Sequence, residues 1–200
     1  MTTVRAATAA DRGRLADSLA SAFSGDPLFT WMAGAGPNKP LEPKLRVLFD
    51  TFLKLDLERE QHLVFADESD RGVAIWKAPN KWKMPTGDMV RSFPSIVRAF
   101  GAKAPRMISA LTAIEKVHPK EEHYYLEALG TRQGRQSKGV GSAVIGHMLE
   151  RCDAEGMPAY LESSNLRNVP FYARHGFEPT GEIEVGKGAP TVTAMWREPR

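Results

Sequence analysis

The chain has a single cysteine, Cys152, in 200 residues. One thiol excludes an internal disulfide framework, and the expectation is a buried side chain in a protein of the reducing cytoplasm. No apolar run approaches the roughly 20 residues needed to cross a bilayer, so no membrane partner is expected. The first ten residues lack the basic-then-apolar pattern of a secretory signal. A large charge of one sign is also missing. The net charge is +3, too small to argue for a nucleic-acid partner. There is no Gly-Lys-Ser/Thr step of an NTPase phosphate loop, because Lys138 precedes Gly139 instead of following a glycine. No internal repeat, low-complexity segment or linker divides the chain, and no metal site is expected.

What is present is an ordinary globular composition, 42% hydrophobic and 26% charged. That suits one domain over residues 1–200 with a sizeable core. Charge is distributed unevenly. Residues 78–120 carry eight Lys or Arg against two acids. This block is either a solvated basic face or an attraction for an acidic partner such as a phosphate group. Along the chain, Thr3–Ala6 reads as a strand, and Thr8 to Asp11 as a capping box before a helix with Leu15, Leu19 and Phe23 on one face. Leu28–Met32 is apolar and aromatic. A second helix spans 42–56, and 63–66 and 72–77 form an antiparallel pair about a polar turn. Two helices, 89–100 and 106–117, fill the basic block, with Pro94 kinking or shortening the first. Strands at 124–129, 159–162, 177–185 and 191–196 complete a mixed sheet of about six or seven strands flanked by helices, an α/β (α+β) architecture.

The strand at 124–129 runs into Gln136-Ser137-Lys138-Gly139-Val140-Gly141 and then a helix from Val140 to Cys152. Glycines at such a turn let backbone approach a bulky ligand, and the free amides of a helix start favour anionic oxygen. Arg132, Arg135 and Lys138 add positive charge there. The alternative is an ordinary tight turn. Farther on, Tyr160–Asn165 is a strand ending in a polar turn, and Asn168 to Phe177 is a short helix. In it Asn168 is the expected N-cap, Pro170 sits in the first turn and Gly176 is the stop.

These two segments, in this order and spacing, resemble the GNAT superfamily of N-acetyltransferases. Gln136-x-x-Gly139-x-Gly141 resembles that family's pyrophosphate turn. Asn165, Phe171-Tyr172 and His175-Gly176-Phe177 resemble its second signature. Leu161-Glu162, the Asn168–Tyr172 run and Ala74-Ile75-Trp76 resemble the branch containing puromycin N-acetyltransferase. The resemblance implies acetyl-CoA as cofactor and a small-molecule primary amine as acceptor, aminonucleoside-like or a polyamine, in a monomer or homodimer. It also implies that the backbone of Leu129, Gly130 and Thr131 pairs with the pantetheine arm. The turn from Arg135 to Ser142, through Gln136, Ser137, Lys138, Gly139, Val140 and Gly141, holds the pyrophosphate, and Asn165 and Asn168 reach the cofactor. Gln133 and Ser137 depart from the family pattern, where proline and glycine are common. A protein-lysine acceptor, or a CoA-binding module without catalysis, are the other readings.

Acetyl transfer to an amine requires removing a proton from an ammonium of pKa roughly 10.4, and protonating the departing thiolate. The resemblance makes Tyr172 the acid; the bland alternative is a core aromatic beside Phe171. Glu127 is an unexpected carboxylate in an apolar strand. Strict alternation would set it on the side of Tyr125 and Leu129. It is the preferred base, with a structural ion pair to a nearby arginine as the alternative, Glu162 as rival, and His123 and His175 as further options. His123 reads as the strand's start and His175 as a charge at a helix C-terminus. The 78–120 insertion is expected to select the acceptor, with Phe29, Trp31 and Trp82 as pocket candidates.

Overall fold

Gly72–Lys77 is buried at every position, as expected of a strand covered on both faces. It belongs to a seven-stranded mixed sheet in a computed structural model that describes residues 2–35, 40–59, 63–136 and 138–200. The elements are β1 (Val4–Ala6), α1 (Arg12–Phe23), α2 (Pro27–Ala33), α3 (Glu42–Leu57), β2 (Leu63–Asp67), β3 (Gly72–Lys77), α4 (Thr86–Phe100), α5 (Ala104–Val117), β4 (Tyr124–Thr131), α6 (Val140–Ala154), β5 (Ala159–Ser163), α7 (Val169–Arg174), β6 (Glu178–Ile183) and β7 (Val192–Arg197). The sheet order is β1-β2-β3-β4-β5-β7-β6, antiparallel except for β4 with β5. Helices α1 to α5 supply the core on one face of the sheet, and α6 and α7 that on the other.

Local chemistry explains the helix starts. Both the amide and the hydroxyl of Thr8 donate to the Asp11 carboxylate at 2.8 Å, forming the box read from the sequence ahead of α1. The Leu28–Met32 stretch becomes a helix because Asp26 caps it. Its carboxylate accepts from the amides of Leu28 at 2.9 Å and Phe29 at 3.0 Å, and Pro27 fills the first turn. Gly34, at φ 55°, ends that helix. Pro94 does not shorten α4, which begins at Thr86. The carbonyl that Pro94 leaves without a donor belongs to Val90, which is 68% exposed and within reach of water. Among the described residues no helix is long and apolar enough to cross a membrane.

Two irregularities in β4 shape the centre of the molecule. Leu126 pairs with Trp76 and Ala128 with Ile75, so Glu127 is an extra, bulged residue. The bulge shifts the phase of alternation. Ala128 packs with the cluster that includes Tyr125, whereas Leu129 packs with the cluster of Tyr124 and Leu126 on the opposite face. Glu127 and Leu129 therefore do not share a side as strict alternation would have it. Second, β4 and β5 pair only through Tyr124–Ala159, Tyr125–Tyr160 and Leu126–Leu161. Beyond that point the two parallel strands separate. Among the described residues one edge of β4 from Ala128 to Thr131 has no strand beside it, and the Gln136 carboxamide donates to the Thr131 carbonyl at 3.4 Å.

Candidate functional site

The parting of β4 and β5 opens a cleft of about 710 Å³. Leu129, Gly130 and Thr131 form one wall, Gln136, Gly139, Gly141 and Ser142 the upper turn, and Asn165, Asn168 and Tyr172 the other side. Glycine is needed at two places. Gly139 precedes α6 at φ 77°, a conformation other residues adopt at a cost. At Gly130 a Cβ would come within 2.8 Å of the Ala22 Cβ, so α1 can lie flat against β4. The first amides of α6 have no intrahelical acceptor and lie at the head of the cleft, a ready site for phosphate oxygens.

The other residues expected to hold cofactor fall into four groups. Val140 turns its side chain into the core at 2% exposure, leaving only its amide for a ligand. Arg135 and Lys138 are exposed, and Arg135 lies with Ser69, Arg71 and Arg132 in a separate outer hollow. Ser137 lies outside the described residues. Asn168 has no capping hydrogen bond from its side chain. Asn165 does the capping instead, its carboxamide oxygen accepting from the Arg167 amide at 3.1 Å.

A second cavity, of about 180 Å³, lies on the α1–α5 side. Phe29, Phe49, Phe52, Met107 and Ile114 give it an apolar lining, and Glu127, Glu162, Ser163 and Ser164 bring polar groups to it. Met107 and Ile114 come from α5, inside the stretch expected to select an acceptor. Phe29 is the one wall residue among the three aromatic candidates. Trp31 stacks instead with the Arg106 guanidinium, 5.3 Å from its ring centre, and Trp82 lies over His118 at 3.7 Å between ring centres.

Tyr172 borders both cavities, together with Phe23, Leu129 and Asn168. It is 8% exposed and packs edge-on to Phe171 and Phe177. Burial, and then the nearby Asp26 carboxylate, push the phenol above its ordinary value. A tyrosine so placed keeps its proton and can give it to a stronger base that forms beside it. Asp26 is a further resident of this junction, capping α2 and accepting a hydrogen bond from the Ser164 hydroxyl. Its burial raises its pKa. The sequence signal for it is Asp-Pro after glycine, a helix-start pattern.

The two carboxylates of the second cavity differ in their partners. Glu127 accepts from the Lys77 ammonium at 3.0 Å, and Lys77 also binds Asp56. Burial pulls Lys77 down, but Glu127 and Asp56 outweigh it and the ammonium is retained. Burial raises Glu127 and Lys77 opposes this, leaving it above the usual carboxylate value. The alternative of a structural ion pair is therefore realised, with a lysine as partner, and it pins the bulged residue of β4. Glu162 has His118 beside it, with Nδ1 3.3 Å from Oε1, and the Tyr125 and Tyr160 hydroxyls donate towards it.

Two histidine expectations and the cysteine can be settled from packing. His175 is the C-cap of α7, but burial and then Arg174 lower its pKa, so it is not a standing charge; its Nε2 lies 3.1 Å from the Ser142 hydroxyl. His123 does precede β4, yet it is 3% exposed and part of a buried ring cluster. Cys152 is fully buried, with its thiol pushed up to about 12 by desolvation. Among the described residues no group of three or more His, Cys, Asp or Glu is arranged to hold a metal ion.

The family model described as acetyltransferase (GNAT) family matches residues 99–177. A Corynebacterium glutamicum structure described as histone acetyltransferase HPA2 and related acetyltransferase is 30% identical, covers 100% of this chain and 98% of its own, and superposes with a TM-score of 0.74. An uncharacterised N-acetyltransferase of Schizosaccharomyces pombe is 25% identical over 185 residues, 84% of this chain and 71% of its own length. The PaiA N-acetyltransferase of Thermoplasma acidophilum, determined with coenzyme A, shares the fold at 14% identity, with 99% of each chain covered and a TM-score of 0.57.

Proposed function

The chain belongs to the GNAT family of acetyl-CoA-dependent N-acetyltransferases, and from that premise we propose that it acetylates the primary amine of a small molecule with an apolar body. The observation that carries this reading is the position of Tyr172 at the one place where the two cavities meet. The cleft suits the cofactor. Gly139 and Gly141 leave room for backbone to approach a diphosphate, a Cβ at Gly141 standing 3.3 Å from the Thr131 hydroxyl. The unpaired edge of β4 at Leu129, Gly130 and Thr131 offers an extended arm a strand-like partner. Asn165 and Asn168 face it from α7's side, and Arg135 and Lys138 add charge outside the turn. Bound there, acetyl-CoA would supply an acetyl thioester.

Tyr172 holds a proton at its hydroxyl oxygen and donates it in a hydrogen bond to the departing thiolate; the thiol is the stronger acid of the two, so the tyrosine steadies the developing charge and protonation of the sulfur is completed as solvent re-enters. The apolar cavity orients the acceptor by its body and excludes water. Its lining favours an arylalkyl or other hydrophobic amine over a polyamine, which would leave several charges unpaired. An aminonucleoside acceptor, as in the puromycin N-acetyltransferase branch, is the bulkiest version of this reading, and residues 78–120 bound its size. Glu127 keeps the bulge in place through Lys77. The reaction is assigned to the cytoplasm.

The test is an acceptor plate with acetyl-CoA, reading free thiol, with phenethylamine, puromycin, spermidine and a lysine peptide side by side. Thiol release is expected first with the hydrophobic amines. Release with the peptide alone would move the reading to a protein-lysine acceptor. Silence with every amine, despite coenzyme A binding, would leave a CoA-binding module.

A further inference from the structure

Three carboxylates border the two cavities, and they differ in what stands against them. Glu127 has the Lys77 ammonium, and Glu162 has His118 and two phenols. Asp26, only 6% exposed, has neither. Its Oδ1 accepts from the amides of Leu28 and Phe29, and its Oδ2 from the Ser164 hydroxyl. Among the described residues no ammonium, guanidinium or imidazole stands within ion-pair distance of it. Buried charges seldom lack a counter-charge, and the start of a seven-residue helix supplies only a partial one. Position matters as much as charge. Asp26 lines the cofactor cleft and Ser164 the acceptor cavity, so the hydrogen bond between them spans the junction. Tyr172 stands at the same junction, near enough to Asp26 for the carboxylate to raise its phenol.

We propose that Asp26 and Ser164 seat the acceptor's ammonium group and take its proton, Asp26 as counter-charge and base, Ser164 as the relay between nitrogen and carboxylate. The inference rests on the acyl-transfer reading above and names the base it requires. The one hydroxyl hydrogen of Ser164 goes to Asp26, which leaves its lone pairs to accept from an N–H in the acceptor cavity. An ammonium held there lies beside Tyr172, where the sulfur is expected. As the amine N–H bond breaks, its proton joins Ser164 Oγ and the hydroxyl hydrogen passes to Asp26 Oδ2. The freed electron pair on nitrogen forms the bond to the acetyl carbon, and the carbon–sulfur bond breaks with its pair going to sulfur. Nitrogen's second surplus proton leaves to the re-entering water, which also protonates the sulfur. Asp26 hands its proton to water in the open cofactor cleft once coenzyme A departs, and the carboxylate is restored for the next turnover. Transfer from an ammonium of pKa roughly 10.4 to a carboxyl is uphill, and surroundings that penalise two buried charges narrow the gap. Burial does raise the pKa of Asp26, against the hydrogen bonds from Ser164, Phe29 and Leu28. From the elements packed around it, Tyr172 of α7 is the titratable group that faces Asp26. The start of α2 and the end of β5 bring amides and the Ser164 hydroxyl, and Arg167 and Arg174 line the cleft outside ion-pair distance.

Asp26→Asn is the variant to make, because asparagine caps a helix about as well as aspartate and its carboxamide oxygen still accepts from Leu28 and Phe29. Its kcat/KM for phenethylamine at pH 7 should fall about a hundredfold. Wild-type kcat/KM should be level between pH 7 and the pKa of the amine. That of the variant should climb about tenfold per pH unit as free amine accumulates, so the gap narrows. Calorimetry gives a readout apart from turnover. Phenethylammonium should bind the coenzyme A complex of the variant about tenfold more weakly than that of wild type at pH 7, with coenzyme A affinity unchanged. Ser164→Ala, which keeps the Asp26 cap, should lower kcat about tenfold and decides the matter should Asp26→Asn fail to fold. An Asp26→Asn protein within about threefold of wild type at pH 7, a pH profile parallel to wild type, an unchanged phenethylammonium affinity, or full kcat in Ser164→Ala would each overturn the proposal. If wild type releases no thiol with any amine, acetyl transfer is what is refuted, and the calorimetry still decides whether Asp26 seats an ammonium.

Discussion

The two cavities that meet at Tyr172 are built in different ways. Most of the residues lining the cofactor cleft come from two short stretches, 129–142 and 165–174. The acceptor cavity is lined by residues from α1, α2, α3, β3, α5, β4, β5, α7 and β7. A cleft formed from contiguous backbone must keep glycine and turn geometry, so its chemistry is fixed by few residues. A cavity formed by distant side chains can change shape through many single substitutions while the sheet stays the same. On the proposed function the first would hold a fixed donor and the second a variable acceptor.

The sharpest way to break this comparison is at the shared residue. Tyr172→Phe should reduce kcat by about a hundredfold or more while leaving coenzyme A affinity within a few-fold, measured by thiol release and calorimetry. Loss of binding in step with activity would make Tyr172 a packing residue of the cleft only. Next comes the backbone side. Gly139→Val forces a β-branched residue to φ 77° and should weaken coenzyme A binding about tenfold, with acceptor selectivity unchanged. The side-chain side should show the reverse. Ile114→Trp fills the cavity and should raise KM for phenethylamine about tenfold while leaving that of a small amine and of acetyl-CoA alone.

The smallest effect is on stability and separates framework from site. The Arg197 guanidinium, 4% exposed, makes two hydrogen bonds to Asp153, at 2.7 and 2.8 Å, joining β7 to α6. That pairing holds the Asp153 carboxyl below its ordinary value. A depressed folded pKa contributes stability that is present above the unfolded value, roughly 3.9, and is lost as pH falls through the folded one. Asp153→Asn should therefore cost about 2 kcal/mol at pH 7, with the gap from wild type closing below pH ~4. Equal losses at both pH values would show that shape, not charge, is what Asp153 provides.

What could be read from sequence follows the same division. The seven strands and the Gly139 turn were legible, because alternation, glycine and proline act within a few residues. The junction at Asp26 was not, because Ser164 meets it from 138 residues away. Nor was the phase slip at Glu127. A bulge adds one residue to one strand only, and neither the partner register nor the Lys77 pairing leaves a local mark. His118 ended a helix and His123 began a strand in the sequence, and only the packing of β4 beside β5 brings their rings together.

The claim on which everything else depends is that the cleft and the apolar cavity are the two halves of one reaction centre. A crystal structure with coenzyme A and a hydrophobic amine measures this directly. The account predicts the sulfur within hydrogen-bond distance of the Tyr172 hydroxyl, the diphosphate on the Gly139–Ser142 amides, and the amine nitrogen between the sulfur and Ser164. Coenzyme A seated away from the parting of β4 and β5, or an amine bound outside the cavity floored by Phe29 and Ile114, would contradict it.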